Sequence, residues 1–260
     1  MFLRNFNTVI NQFTTNPANA VLYLLIHIVT ILISLILHEC AHGQVAYWCG
    51  DPTAKQLGRI TLDPRKHLDP IGTVSMLLFG FGWAKPVPIN PRYFRRYRRD
   101  YVLVSMAGIV TNLMLFLLFT GLAVILNQHI WADGIEQADK NIWIFVPFNI
   151  IYDGNFTGVL QYFRAPALMY LQTFFISMSM INISLAVFNL LPVPPLDGWR
   201  ILDGLVLRGR VRITPQVYQI IRIAMLVLLF TGATSGLLSK VTTAAMNGVL
   251  SLYRAIGGIA

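Results

Sequence analysis

Residues 33–48 read ISLILHECAHGQVAYW. His38 and His42 are four positions apart, which on a helix places both imidazoles on one face. Two nitrogens so placed suit a single divalent ion. A glutamate directly after the first histidine suits a general base beside that ion, the H-E-x-x-H arrangement. The setting is what makes the motif unusual. Glu39 is one of only two glutamates in 260 residues, and it follows Ala20–Leu37, a run without Asp, Glu, Lys or Arg. A charged side chain in a bilayer costs about 2.5–3.5 kcal/mol on insertion scales. A metal ion compensates for the placement. Zinc with neutral His38 and His42, one anionic carboxylate and an ionised water sums to zero charge, and Glu39 takes or shuttles the proton that the water gives up.

A catalytic zinc takes a third protein ligand and keeps one position open. The other glutamate, Glu136, sits in an acidic connection between apolar runs, His67 in a basic loop and His129 at the far end of a run. His27 is about 16 Å back along the same helix. Asp197 is the better candidate, because it ends the uncharged run Ala165–Leu196 in FNLLPVPPLDGWR. Asp203 and His67 are the residues to consider should Asp197 fail. Cys40 and Cys49 are nine residues apart, about 13.5 Å on a helix, too far for a disulfide and not at a recognisable metal-pair spacing.

These residues need a membrane scaffold. The chain is 55% hydrophobic and 12% charged, whereas soluble domains carry about 25% charged residues. Ala20–Leu37, Tyr101–Leu126 and Ala165–Leu196 are charge-free and long enough to cross a bilayer, and Ile223–Ser239 is a shorter fourth stretch. Ala20–Leu37 has one basic residue before it, Arg4, and runs straight into the histidine motif, unlike a cleaved signal peptide. The expected fold class is an all-α polytopic membrane protein, one domain over 1–260. Its catalytic core covers about 20–210 and a C-terminal helical extension 213–260. No internal repeat is visible.

The net charge of +9 is unevenly spread. Residues 50–100 and 200–212 are rich in Lys and Arg, while 127–164 carries Asp133, Glu136, Asp139 and Asp153 beside only Lys140 and Arg164. That asymmetry places the basic segments in the cytoplasm and argues against nucleic acid as the partner. RYFRRYRRD, residues 92–100, reads as an anchor on anionic lipid. The N-terminus is then extracytoplasmic, and His38, His42 and Asp197 arrive on the same cytoplasmic side. Parity holds only if Ile71–Ala84, with three glycines, does not span. It is expected to be re-entrant and partly extended. Ile142–Tyr152 is expected to dip into the outer interface.

HECAH and NLLPVPPLDG together resemble the site-2 protease family of intramembrane zinc metalloproteases, which pairs H-E-x-x-H with a later N-x-x-P-x-P-x-x-D-G. Asn189, Pro192, Pro194, Asp197 and Gly198 fit that second pattern. The resemblance implies that His38, His42 and Asp197 are zinc ligands, one zinc per chain, and that Glu39 is the catalytic acid/base. AGIVTN, residues 107–112, resembles the family's G-x-x-x-N. It implies that Gly108, Asn112 and Asn189 support the site or hold substrate backbone. Interhelical hydrogen bonding by Asn112 and a cap or turn role for Asn189 stay open beside those roles. GRITLDPRKHLDPIGT, residues 58–73, and the segment through GWAKPVPIN resemble compact bacterial members, whose β segment offers an edge to an unwound substrate strand. The chain looks like such a member without PDZ or CBS insertions, so a regulatory partner would be a separate protein. Trp199 stands where relatives often carry a second glycine. The implied activity is hydrolysis of peptide bonds in transmembrane proteins, near the cytoplasmic side of a bacterial cell membrane. The competing readings are a membrane zinc transporter or binding scaffold, an inactive member chaperoning membrane segments, and a gluzincin-type peptidase. Glu39 argues against the first, the intact motif against the second, and the missing third-ligand glutamate against the last.

Overall fold

The computed structural model describes residues 17–79, 83–132, 163–211, 213–231 and 235–257. Helix α1 runs Pro17–Trp48 and is followed by the single turn α2, Thr53–Gln56. Next come α3, Pro70–Phe79, and α4, Tyr97–Asn127. After the undescribed connection lie α5, Pro166–Asn189, and α6, Asp197–Leu202, which widens into a looser turn over Asp203–Leu207. The chain continues as α7, Pro215–Thr231, and α8, Ser235–Gly257. Ala20–Trp48, Tyr97–Asn127 and Ala167–Asn189 are long and apolar enough to cross a membrane. The protein is an all-α polytopic membrane protein.

Local chemistry sets the starts of these helices. Helices α1, α3, α5 and α7 each open on a proline, the position where a missing N–H costs nothing and the fixed φ already suits a helix. Before α3, the Asp69 carboxylate accepts the Gly72 N–H at 2.7 Å, a side-chain cap. In α4, buried Asp100 in the first turn accepts the Arg96 N–H at 2.8 Å and pairs with Arg99, where a negative charge suits the helix dipole.

In segment 71–84, expected to be re-entrant and partly extended, the residues through Phe79 are helical. Among the described residues its β character is an antiparallel bridge between Leu68 and Ala84. The Asp69 cap and Pro70 start a helix that apolar composition alone did not specify. Gly72 then lets the chain return close by, since a Cβ there would lie 2.2 Å from the Trp83 carbonyl oxygen. The fourth apolar stretch, 223–239, is divided between α7 and α8, on either side of undescribed residues 232–234. The expected interfacial segment 142–152 lies outside the described residues.

The chain forms two compact units. One comprises Leu32–Met114 and Ser184–Ser239. Its core gathers Ala46, Cys49, Phe94 and Val104, with Val45, Ile89 and Tyr101 against them. Fully buried Asp51 ties this unit together, accepting the Thr53 N–H at 3.0 Å and the Asn90 N–H at 2.6 Å. The other unit comprises Met1–Ile31, Leu115–Ile183 and Lys240–Ala260. There Ile130, Trp131, Phe163 and Met169 form the core. Helix α8 buries Thr242, Met246 and Leu250, one turn apart on a single face, and its Tyr253 hydroxyl donates to the Leu117 carbonyl at 2.8 Å.

Asp51→Ala leaves the Asn90 and Thr53 amides without their acceptor, at about 1–3 kcal/mol for each orphaned group. Equilibrium unfolding in detergent is expected to show that loss, with Asp51→Asn recovering part of it through its remaining carbonyl oxygen.

Candidate metal centre

Helix α1 carries His38 and His42 one turn apart, and α6 opens on Asp197. All three are buried, at 5%, 3% and 6% exposure. His38 Nε2 and His42 Nε2 are 3.1 Å apart. Asp197 Oδ2 is 3.4 Å from the first and 3.1 Å from the second. Among the described residues this is the one group of three such side chains able to converge on an ion. Three zinc ligands with bonds of about 2.0–2.1 Å in tetrahedral array stand about 3.3–3.4 Å from one another, so the triangle has the right size.

The far sides of the rings determine what the triangle contains. His42 Nδ1 lies 2.7 Å from the Val104 carbonyl oxygen, which can only accept, so the proton is on Nδ1. His38 Nδ1 lies 3.2 Å from Asn112 Oδ1, and the same reasoning applies with the amide oriented this way. In the neutral rings both Nε2 atoms are then bare lone pairs. They face a carboxylate oxygen that has no well-directed hydrogen bond of its own. Three converging electron pairs in a dry site repel unless a cation sits among them, and imidazole with carboxylate is a donor set that zinc accepts.

Two glycines make room for these side chains. A Cβ on Gly108 would lie 2.4–2.6 Å from atoms of the His38 ring. A Cβ on Gly198 would lie 2.2 Å from the Leu190 carbonyl oxygen, so the residue after Asp197 must be bare for α6 to begin where it does. Arg200, one turn on, approaches the other carboxylate oxygen of Asp197 at 3.8 Å. Glu39, next to His38 on α1, accepts the Val87 N–H on its Oε2 at 2.7 Å.

A family model described as peptidase family M50 matches residues 26–232, which contain every one of these side chains. The chain belongs to peptidase family M50. A Bacillus subtilis (strain 168) protein named "Putative zinc metalloprotease YwhC" is 39% identical over 247 residues, covering 95% of this chain and 97% of its own. Proteins named "Putative zinc metalloprotease Rip2" match at lower identity. That from Mycobacterium tuberculosis is 28% identical over 66% of this chain and 54% of its own, and that from Mycolicibacterium smegmatis is 26% identical over 73% and 61%. No solved structure gives a significant match.

Within this M50 chain the other candidates from the sequence are placed less centrally. Asn112 is fully buried against His38, with its Nδ2 lacking a partner among the described residues. Asn189 bonds back to the Leu185 carbonyl of its own helix at 3.0 Å. His67 is buried with Nε2 donating to the Thr61 carbonyl at 2.8 Å, and Cys40 donates to that same oxygen. Asp203 accepts the Gly209 N–H at 3.1 Å, closing the turn after α6. Sequence reasoning missed the Val104 carbonyl and the Val87 N–H. Both are backbone groups, which leave no residue-type signal. It also counted Arg200 only as a basic charge, although its i, i+3 spacing from Asp197 was readable.

Gly108→Ala drives a methyl group into the His38 ring. Metal titration of the purified protein is expected to show zinc affinity lowered at least tenfold. Asn112→Leu, which removes the partner of His38 Nδ1 while keeping the volume, is expected to lower it by about 10–100-fold.

Proposed function

We propose that this M50 chain is an intramembrane zinc endopeptidase that hydrolyses peptide bonds of transmembrane protein substrates on the cytoplasmic side of the bilayer. The observation that carries the reading is the buried triangle of His38, His42 and Asp197 ligand atoms, with Glu39 adjacent in sequence on α1. His38, His42 and Asp197 would hold one zinc per chain, which would supply Lewis acidity toward a peptide carbonyl and lower the pKa of a water. His38 and His42 present Nε2 because Asn112 and Val104 hold their Nδ1 protons. Glu39 takes the proton released by the attacking water and returns it to the leaving amine nitrogen. Asn112 Nδ2 is a buried donor available to substrate backbone, and Asn189 supports the turn that leads to Asp197. The reading takes residues 1–260 as one membrane protease domain, with its catalytic core over about 20–210 and a C-terminal helical extension over 213–260.

The orientation rests on the distribution of charge. Arg92, Arg95, Arg96, Arg98 and Arg99 are exposed, while Phe94 among them and Asp100 directly after them are buried, which suits a stretch lying on anionic lipid at the cytoplasmic face. A bacterial cell membrane fits the organisms of the related proteins. Substrate helices must unwind locally before attack, because helical backbone has no free amides to offer the site.

Glu39→Gln separates catalysis from metal carriage. Cleavage of a reconstituted transmembrane substrate is expected to fall by about 10²–10⁴-fold with one zinc per chain retained, whereas Asp197→Ala loses the zinc. Unchanged cleavage in Glu39→Gln overturns the protease reading, and full zinc in Asp197→Ala overturns the ligand set.

A further inference from the structure

Apart from its bridge at Ala84, the segment between Trp83 and Asn90 runs without regular structure, yet three of its backbone donors are committed. The Lys85 N–H goes to the His67 carbonyl at 2.8 Å and the Asn90 N–H to Asp51 at 2.6 Å. Arg59 donates to the Lys85 carbonyl at 2.8 Å. Between these anchors the sequence is Pro86-Val87-Pro88. Proline has no N–H and a fixed φ, so Val87 carries the one amide proton of the three residues. That proton goes to Glu39 Oε2 at 2.7 Å.

Helix α1 is shaped to receive it. Gly43 lies one turn after Glu39 on the same face, and a Cβ there would meet Val87 Cγ1, Ala54 Cβ and Ile60 Cγ1, each at 3.2 Å. Val87 is buried in that contact, while Glu39 is half-buried. A glutamate side chain left free samples several rotamers, and a misplaced base loses rate steeply. A charge-assisted bond from a rigid, doubly anchored backbone removes that freedom.

We propose that the Val87 N–H is the positioning donor for the general base. It pins Glu39 Oε2, so that Oε1 is the oxygen left to exchange protons with the attacking water and the leaving amine. The strap 83–90 thereby acts on catalysis through Glu39. This rests on the protease reading above.

The composition supplies a clean probe. With only two glutamates, zinc-loaded protein labelled with δ-13C-glutamate gives two carboxyl signals, and Glu136→Gln assigns them. Val87→Pro, which deletes the N–H, is expected to move the Glu39 signal and leave that of Glu136 in place. It is also expected to lower kcat by about 10–100-fold with KM and zinc content unchanged. Val87→Ala, which keeps the N–H, is expected to do neither. Lost kcat with an unmoved Glu39 signal, or full kcat in Val87→Pro, overturns the proposal. Should Val87→Pro not fold, dipolar dephasing between 15N-valine and δ-13C-glutamate in the unsubstituted chain reads the contact directly, with its absence overturning the proposal. The carboxyl signal reports the contact whether or not any substrate is cut, so an inactive wild type would count against the protease reading alone.

Discussion

Two imidazole lone pairs and a carboxylate oxygen held 3.1–3.4 Å apart in a buried site are the constraint on which the rest of the structure depends. Left alone they repel. They are held together because each is fixed from behind: His38 by Asn112, His42 by the Val104 carbonyl, and Asp197 by an α6 start that Gly198 makes possible. The protein has set out acceptors for a cation and directed the ring protons away from it. A helix pair merely rich in histidine would not direct its protons so consistently.

The surrounding architecture serves that convergence. Gly108 on α4 is bare because the His38 ring lies over it, and Gly43 on α1 is bare because Val87 packs there. Asp51, fully buried, fixes the end of the segment that brings the Val87 amide to Glu39. A costly ionisable group is tolerated where it has a specific partner, which backbone amides provide for Glu39 and Asp51 and a cation would provide for Asp197.

The convergence of the three proposed ligands was legible in the sequence for physical reasons. His38 and His42 follow from the helical period, and Asp197 from its place at the end of a charge-free run, where a carboxylate needs a purpose. Three long apolar helices followed from composition. The helix α3 did not, because a short apolar stretch with glycines is compatible with extended or helical backbone. What decided it was a cap from Asp69 that is recognisable only once the helix exists. The Val104 and Val87 contacts were beyond reading, since a backbone carbonyl or amide belongs to every residue. Asn189 illustrates the reverse case, a residue singled out by family pattern whose side chain is satisfied within its own helix.

The most direct test of the account is zinc K-edge X-ray absorption on the purified wild-type chain. The account predicts a four-coordinate site with two imidazole nitrogens and oxygen donors at about 2.0–2.1 Å, and no sulfur. A sulfur shell at about 2.3 Å, which would bring Cys40 or Cys49 into the site, or a purified chain with no zinc at the edge, would contradict it.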